Sequence, residues 1–266
     1  MAEHRAELIF WGVRGGIPTP GADTTVFGGN SPCVEVDCGD RIIVFDAGTG
    51  LRILGQSLMP RSPVRGDLLF GHTNFNRICG LPFFAAALHP KNSFAFWCGH
   101  EPEEGNIHAV LTRLMTDPVF PVPLDIFNAE LTFNDFKAGN PLDLDDKTDV
   151  TTLPVTCGLP GTAYRVTSCG VSLGYACAIR PPEDLTGLID FVRGCDFLIL
   201  SFVGEDVAAC DRIALDVAQR GEVGQVFLTD HAPDASDGYL LRREEMLIKQ
   251  RSSVRLAREG DRIALV

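Results

Sequence analysis

Short apolar runs recur along the first hundred residues: ELIFWGV, CVEVD, RIIVFDA, DLLFGH and SFAFWCG. Five more follow in the second half, VTTLPVT, TAYRVTSC, VSLGYACAI, CDFLILSF and QVFLTDH. Their length, β-branched and aromatic content, and Gly, Asp and Pro boundaries predict strands. Between them the period lengthens. In EDVAACDRIALDVAQRG, Val207, Cys210, Ala214, Val217 and Ala218 recur near every 3.6 residues, which predicts a helix laying one apolar face on a sheet. CVEVD and RIIVFDA are separated only by CGD, a hairpin spacing, which argues against a purely parallel sheet and for a mixed one. The pattern predicts an α/β protein with mixed sheets covered by helices.

Residues 14–30, RGGIPTPGADTTVFGGN, are rich in Gly, Pro and Thr but closely flanked by apolar strands, which predicts an ordered loop rather than a linker. No composition break marks a boundary, so residues 1–266 are expected to form a single domain, and 45% apolar residues suffice for a sizeable core. With 23 basic against 35 acidic residues the formal charge is −12, which disfavours a nucleic-acid polymer or an anionic membrane as partner. The start, MAEHRAELIFWG, carries charges where a secretory signal needs an apolar core, and no apolar run reaches the length of a membrane span. A cytoplasmic protein is expected. The nine cysteines contain no CxxC pair and suggest neither a zinc ribbon nor a disulfide framework, so most are expected to be reduced, buried fillers.

The chemistry centres on GHTNFNRICGLPFF, residues 71–84, which follows the apolar run GDLLF. Together with FWGVRGGIPTPG, FGGNSPCVEV, VFDAGTGLR, PVFPVPL, GTAYRV and LTDHAPDASD, it resembles the metallo-β-lactamase fold, specifically its small phosphodiesterase and ribonuclease Z-like branch. The blocks occur in the family's order over nearly the whole chain. The resemblance implies an αβ/βα four-layer sandwich, two mixed β-sheets flanked by helices, with a metal site where the loops after the strands converge. Active relatives carry His-x-His-x-Asp-His in the central motif. The matching residues here are His72, Asn74, Asn76 and Arg77. The family's third histidine falls at Cys157, its bridging aspartate near Ala178, and its last histidine at His231, while a Gly-His-Ser block has no counterpart between Val203 and Val223. On this register two of seven ligands remain, His72 and His231. Asp46, in DAGTG, matches a structural aspartate beside the metal loop.

The replacements bear directly on the chemistry. A dizinc site needs imidazole donors and a carboxylate spanning the two ions. Asn offers a poor ligand, and Arg77 puts a permanent positive charge where a cation should sit. Without metals to bring a bound water's pKa from 15.7 to about 7, no nucleophile is evident. No cofactor is therefore expected. The alternative is one zinc or other divalent ion on His72, Cys157 and His231, with Asp230 nearby. Arg77 has two readings: a cation holding a phosphate or carboxylate, or a salt bridge to Asp46 or Asp230. A nucleophilic pair of Cys157 or Cys79 with His72 has no spacing to support it. The Gly-rich RGGIPTPG is not a P-loop, lacking GxxxxGK[ST], and reads as a loop rimming the pocket. His4, His89, His100 and His108 have no ligand spacing and read as ordinary surface or packing residues.

Two functions follow. The first is a pseudoenzyme that keeps the sandwich and binds a small anionic ligand, nucleotide or phosphate-like, or a protein partner, through a remnant pocket of His72, Asn74, Asn76, Arg77, Asp46, Cys157, Asp230 and His231. The second is a metal-dependent phosphodiester hydrolase with a single or rearranged site. A homodimer is only an analogy with the branch.

Overall fold

The structure is a computed structural model that describes residues 6–100, 106–156, 158–181, 184–204 and 206–265. In chain order the first half contains β1 (Glu7–Gly12), β2 (Cys33–Asp37), β3 (Ile42–Phe45), α1 (Gly50–Leu58), β4 (Arg65–Phe70), α2 (Phe75–Ile78), β5 (Ser93–Cys98), α3 (Ile107–Leu114) and β6 (Glu130–Asp135). The second contains β7 (Leu142–Asp145), β8 (Thr148–Thr156), β9 (Pro160–Ser168), β10 (Val171–Ile179), α4 (Thr186–Val192), β11 (Phe197–Phe202), α5 (Val207–Arg220), β12 (Gln225–Leu228), α6 (Asp237–Gln250), β13 (Val254–Leu256) and β14 (Arg262–Ala264).

The strands form two seven-stranded sheets, ordered β14-β1-β2-β3-β4-β5-β6 and β13-β12-β11-β10-β9-β8-β7. Both are mixed, as the CGD hairpin predicts. β1, β2 and β3 pair antiparallel while β3 through β6 run parallel. In the second sheet β7 to β10 are antiparallel and β10 to β13 parallel.

Alternation along the strands sorts side chains into separate apolar layers. Val44, Leu68, Phe70, Phe94 and Phe96 face α1 and α3. Their strand neighbours Ile43, Phe45 and Leu69 face the second sheet, where they meet Tyr164, Leu173 and Ile199. The other face of that sheet, including Ala176, Leu198 and Val226, packs on α4, α5 and α6. Three apolar interfaces separate four layers, which is the predicted sandwich. The α5 helix buries Ala214, Val217 and Ala218, the last three positions of the predicted stripe.

The ten apolar runs become ten strands. Four further strands, β6, β7, β13 and β14, are the four sheet edges. Three of these bury little, and β13 is three residues long. Short, half-wet edges carry weak patterns because only one neighbour and one face constrain them.

The cysteine expectation needs one correction. Cys38, in the β2–β3 turn, and Cys169, in the β9–β10 turn, form a disulfide with a Cα–Cα distance of 6.1 Å across a separation of 131 residues. It joins the two sheets at the end opposite the site described below. Nothing local in the sequence brings those turns together. Among the described residues Cys33, Cys79, Cys98, Cys177, Cys195 and Cys210 lie outside any disulfide, and no helix is long and apolar enough to cross a membrane.

Glu35 is an internal polar cost. It is fully buried on β2; its Oε2 accepts from Trp11 Nε1 at 2.8 Å, and its Oε1 has no hydrogen-bond donor. Burial, reinforced by Asp37, pushes its pKa from 4.5 up to about 7. The fold therefore favours the neutral acid. That contribution is full below about pH 4.5 and is lost as the pH rises through about 7, a swing of about 3 kcal/mol. Glu35→Gln is expected to flatten this part of the pH dependence. Urea midpoints at pH 5 and pH 8 check it, and equal pH dependence in both proteins would refute the assignment.

Candidate functional site

The parallel strands of both sheets point their carboxyl ends at one rim, where ligands bind in open α/β sheets. Asp46 follows β3, Gly71 and His72 follow β4, Ala178 lies at the end of β10, Ser201 near the end of β11, and Asp230 just after β12. The loop over residues 14–30 is ordered and rims the same place. His231 N donates to Val13 O and Gly15 N to His231 O, while Asp237 and Glu259 accept backbone N–H groups from Val26, Phe27, Gly29 and Asn30. Arg14 is fully buried beneath the loop, donating to the carbonyls of Gly28, Ala232 and Ala235. Nothing in the sequence pattern singled it out.

At the centre lies an Arg77 ion triad. The guanidinium is 1% exposed. Nη1 donates to Asp46 Oδ2 and, at 2.7 Å, to Tyr175 Oη; Nη2 donates to Asp230 Oδ2. Asp46 Oδ1 accepts from Gly71 N at 2.8 Å, and Asp46 Oδ2 also accepts from Tyr175 Oη. Asp230 Oδ2 accepts from Ser201 Oγ, which in turn accepts from Ala178 N at 2.6 Å. The Tyr175 ring stacks on Phe45 at 4.6 Å, which fixes the hydroxyl against Asp46. Burial works against the charge on Arg77, but Asp230, Tyr175 and Asp46 outweigh it and hold its pKa well above the usual arginine value. Of the two readings of Arg77, the structure contains the salt bridge, and to both aspartates at once.

Asp46, Ala178 and Asp230 all have left-handed backbone, with φ of 60°, 53° and 57°. Such conformations cost of order 1–3 kcal/mol each and collect at functional sites. Ala178 has no polar side chain to offset that cost locally. Among the described non-glycine residues two more share this backbone, Cys169 and Glu222, both in turns away from the rim.

The sequence-selected residues do not all converge. His72, Asn74, Asn76, Arg77 and Asp230 line one cavity of about 400 Å3, walled on its far side by Val207, Asp211 and Ala214 of α5 and by Tyr239 and Arg243 of α6. Asp46 lies under Arg77, fully buried. His231 adjoins Asp230, but its ring faces elsewhere: Nε2 lies 2.8 Å from Ala257 O, and the ring meets Phe27 edge-on at 5.5 Å. Cys157 lies outside the described residues. His72 is 4% exposed, and its Nδ1 lies 3.4 Å from the Asn74 N–H. Burial, aided by Arg77 and His100, presses its pKa down to about 2, so it is a neutral imidazole. His100 is a packing residue, one of the two expected possibilities: it contacts Cys98 Sγ and Thr162 Oγ1, and burial lowers its pKa to about 4. Tyr175, Ser201 and the Asp211–Arg243 pair on the cavity wall belong to the site too, yet carry no motif that would flag them.

The donor set does not fit a metal pair. The space between the two carboxylates is filled by a guanidinium, and among the described residues no three His, Cys, Asp or Glu side chains come together as a metal cluster would. For the single-ion alternative, His231 would have to leave Ala257 O and turn its ring.

The fold has been seen before. A metallo-β-lactamase fold protein, YhfI from Bacillus subtilis, superposes with a TM-score of 0.68 at 17% identity, covering 98% of this chain and 99% of that one. The chain has the metallo-β-lactamase fold. A diphosphatase from the PhnP family superposes with a TM-score of 0.69 at 14% identity, covering 98% of each chain. The short form of human tRNase Z gives 0.63 at 17% identity, with 98% and 99% covered. No protein-family model and no curated protein matches the sequence. Structural likeness at this identity speaks for the fold of this metallo-β-lactamase-like chain and not for its chemistry.

Proposed function

We propose that this chain is a non-catalytic member of the metallo-β-lactamase fold, a binding protein in which the Arg77 guanidinium occupies the place of a metal cation. The supporting observation is the buried Asp46–Arg77–Asp230 triad. A guanidinium supplies the positive charge that two buried carboxylates require, but it cannot lower the pKa of a bound water as a Lewis-acidic metal does. The left-handed turns at Asp46, Ala178 and Asp230 keep a functional geometry while the side chains no longer supply a ligand set. What remains is a cavity suited to a small molecule.

The competing reading is a metal-dependent phosphodiester hydrolase using His72, Cys157 and His231. Similarity to a diphosphatase and a tRNase favours it as a prior. The two separate on one assay. Hydrolysis of bis(p-nitrophenyl) phosphate is measured with zinc, manganese or iron added to purified protein; no metal-dependent turnover is expected, and turnover that rises with metal and falls in His72→Ala would overturn the proposal. The combined variant Asn74→His, Asn76→Asp, Arg77→His replaces the tethered cation with ligands. It is expected to take up metal that the wild type does not, as read by elemental analysis.

A further inference from the structure

Of the apolar stripe along α5, only the carboxyl-terminal part reaches the sheet. Ala214, Val217 and Ala218 are at most 1% exposed and pack on the second sheet. Cys210 and Val207, one and two turns nearer the amino end on the same face of the helix, are only half-buried. They point toward the sheet and do not close against it. The gap is the cavity of about 400 Å3, which both residues line together with Phe202 and Val203 at the carboxyl end of β11 and Tyr239 at the start of α6. All five side chains keep accessible surface, and Val203 and Tyr239 are 48% and 40% exposed. A helix that turns its apolar stripe inward without packing it leaves room for an apolar body of small-molecule size.

The charged groups around this cavity are already paired. Arg77 is held between Asp46 and Asp230, and Arg243 grips both carboxylate oxygens of Asp211 through Nε and Nη2 at 2.6–3.1 Å. The lining residues do include polar atoms without a partner, at His72 Nε2, Arg77 Nε, Thr229 Oγ1 and Asp230 Oδ1, but these are buried and closed to contact with anything inside the cavity. Outside the ion pairs, the partly exposed polar side chains of the lining are the neutral amides Asn74 and Asn76 and the Tyr239 phenol. A charged ligand would therefore give up hydration to walls that offer no open counter-charge. An aliphatic one gives up only the cost of exposing carbon to water.

We propose that the cavity beneath the amino-terminal half of α5 binds a small uncharged molecule with an aliphatic body, which covers Val207, Cys210, Phe202, Val203 and Tyr239. This rests on the reading of Arg77 as a tethered cation, because a metal ion in its place would supply the counter-charge that the walls lack.

The probes are the straight-chain alcohols from butanol to octanol, with octanoate, octylamine and octyl phosphate as charged counterparts of the longest. Each is titrated into the full chain and followed by amide NMR shift changes. Affinity is expected to rise about fourfold per added methylene, the increment for one buried CH2 group. Octanol is expected to bind about tenfold or more tighter than any charged counterpart. Val207→Trp, which fills the gap from α5, is expected to abolish octanol binding with a thermal midpoint close to wild type. Leu241→Trp, at an exposed position on the other face of α6, is expected to leave it intact. The wild-type series stands whether or not the Val207 variant folds. No saturable octanol binding, an affinity flat along the alcohol series, a charged counterpart as tight as octanol, or full octanol binding by a folded Val207→Trp protein overturns the proposal. Zinc content measured on the same sample separates the two layers. In metal-free protein such a result contradicts the ligand class alone, whereas stoichiometric zinc contradicts the reading of Arg77 beneath it.

Discussion

Arg77→Met is expected to destabilise the fold by about 3–5 kcal/mol, the range for removing one partner from a buried ion pair. The cost does not come from lost attraction alone. Asp46 is fully buried and Asp230 nearly so, and without the guanidinium each is left as a desolvated carboxylate. Two signatures distinguish this from simple cavity formation. The deficit should shrink in acid, because protonating the orphaned carboxyls removes their charge. It should also shrink when Asp230→Asn is combined with Arg77→Met, since neighbouring groups in one network are not additive. Denaturant midpoints of the single and double variants, at neutral and acid pH, measure both. A loss below about 1 kcal/mol would place Arg77 among surface ion pairs and end the account of it as the site's structural cation.

Breaking the Cys38–Cys169 bridge is expected to cost about 2–4 kcal/mol, within the usual range for a disulfide closing a long loop. The bridge ties the two sheets at the end away from the cavity, so its removal should lower the unfolding midpoint. Cys38→Ser and mild reduction of the wild type should give the same shift. A Cys38→Ser protein as stable as the oxidised wild type would show that the bridge adds nothing to the fold in solution. Among the described residues the expectation of mostly reduced cysteines fails at this pair, and the other six described cysteines lie outside any disulfide.

That failure shows which information the sequence carries. Interior strands were legible because burial on two faces writes a dense apolar pattern; RIIVFDA and DLLFGH could hardly be anything else. The edge strands β6, β7, β13 and β14 were not, because each pairs on one side only and they bury few apolar side chains. The loop blocks placed His72, Asn74, Asn76, Arg77 and Asp230 around a common cavity, since each follows a strand whose direction the fold fixes. Side-chain direction was a different matter. His231 sits beside Asp230 in sequence, yet its ring leaves the cavity for Ala257 and Phe27. Arg77 finds Asp46 and Asp230 at separations of 31 and 153 residues, and no local pattern says whether a guanidinium meets two carboxylates or stands open for an anion. Both contacts are set by tertiary packing.

The central claim, that Arg77 holds the place of a metal cation, is tested most directly by equilibrium dialysis of the wild-type chain against micromolar zinc, with Arg77→Met as reference. The wild type is predicted to retain well under one zinc per chain, and the variant, whose carboxylates have lost their cation, to retain more. One or two zinc ions held tightly by the wild-type chain would contradict the claim.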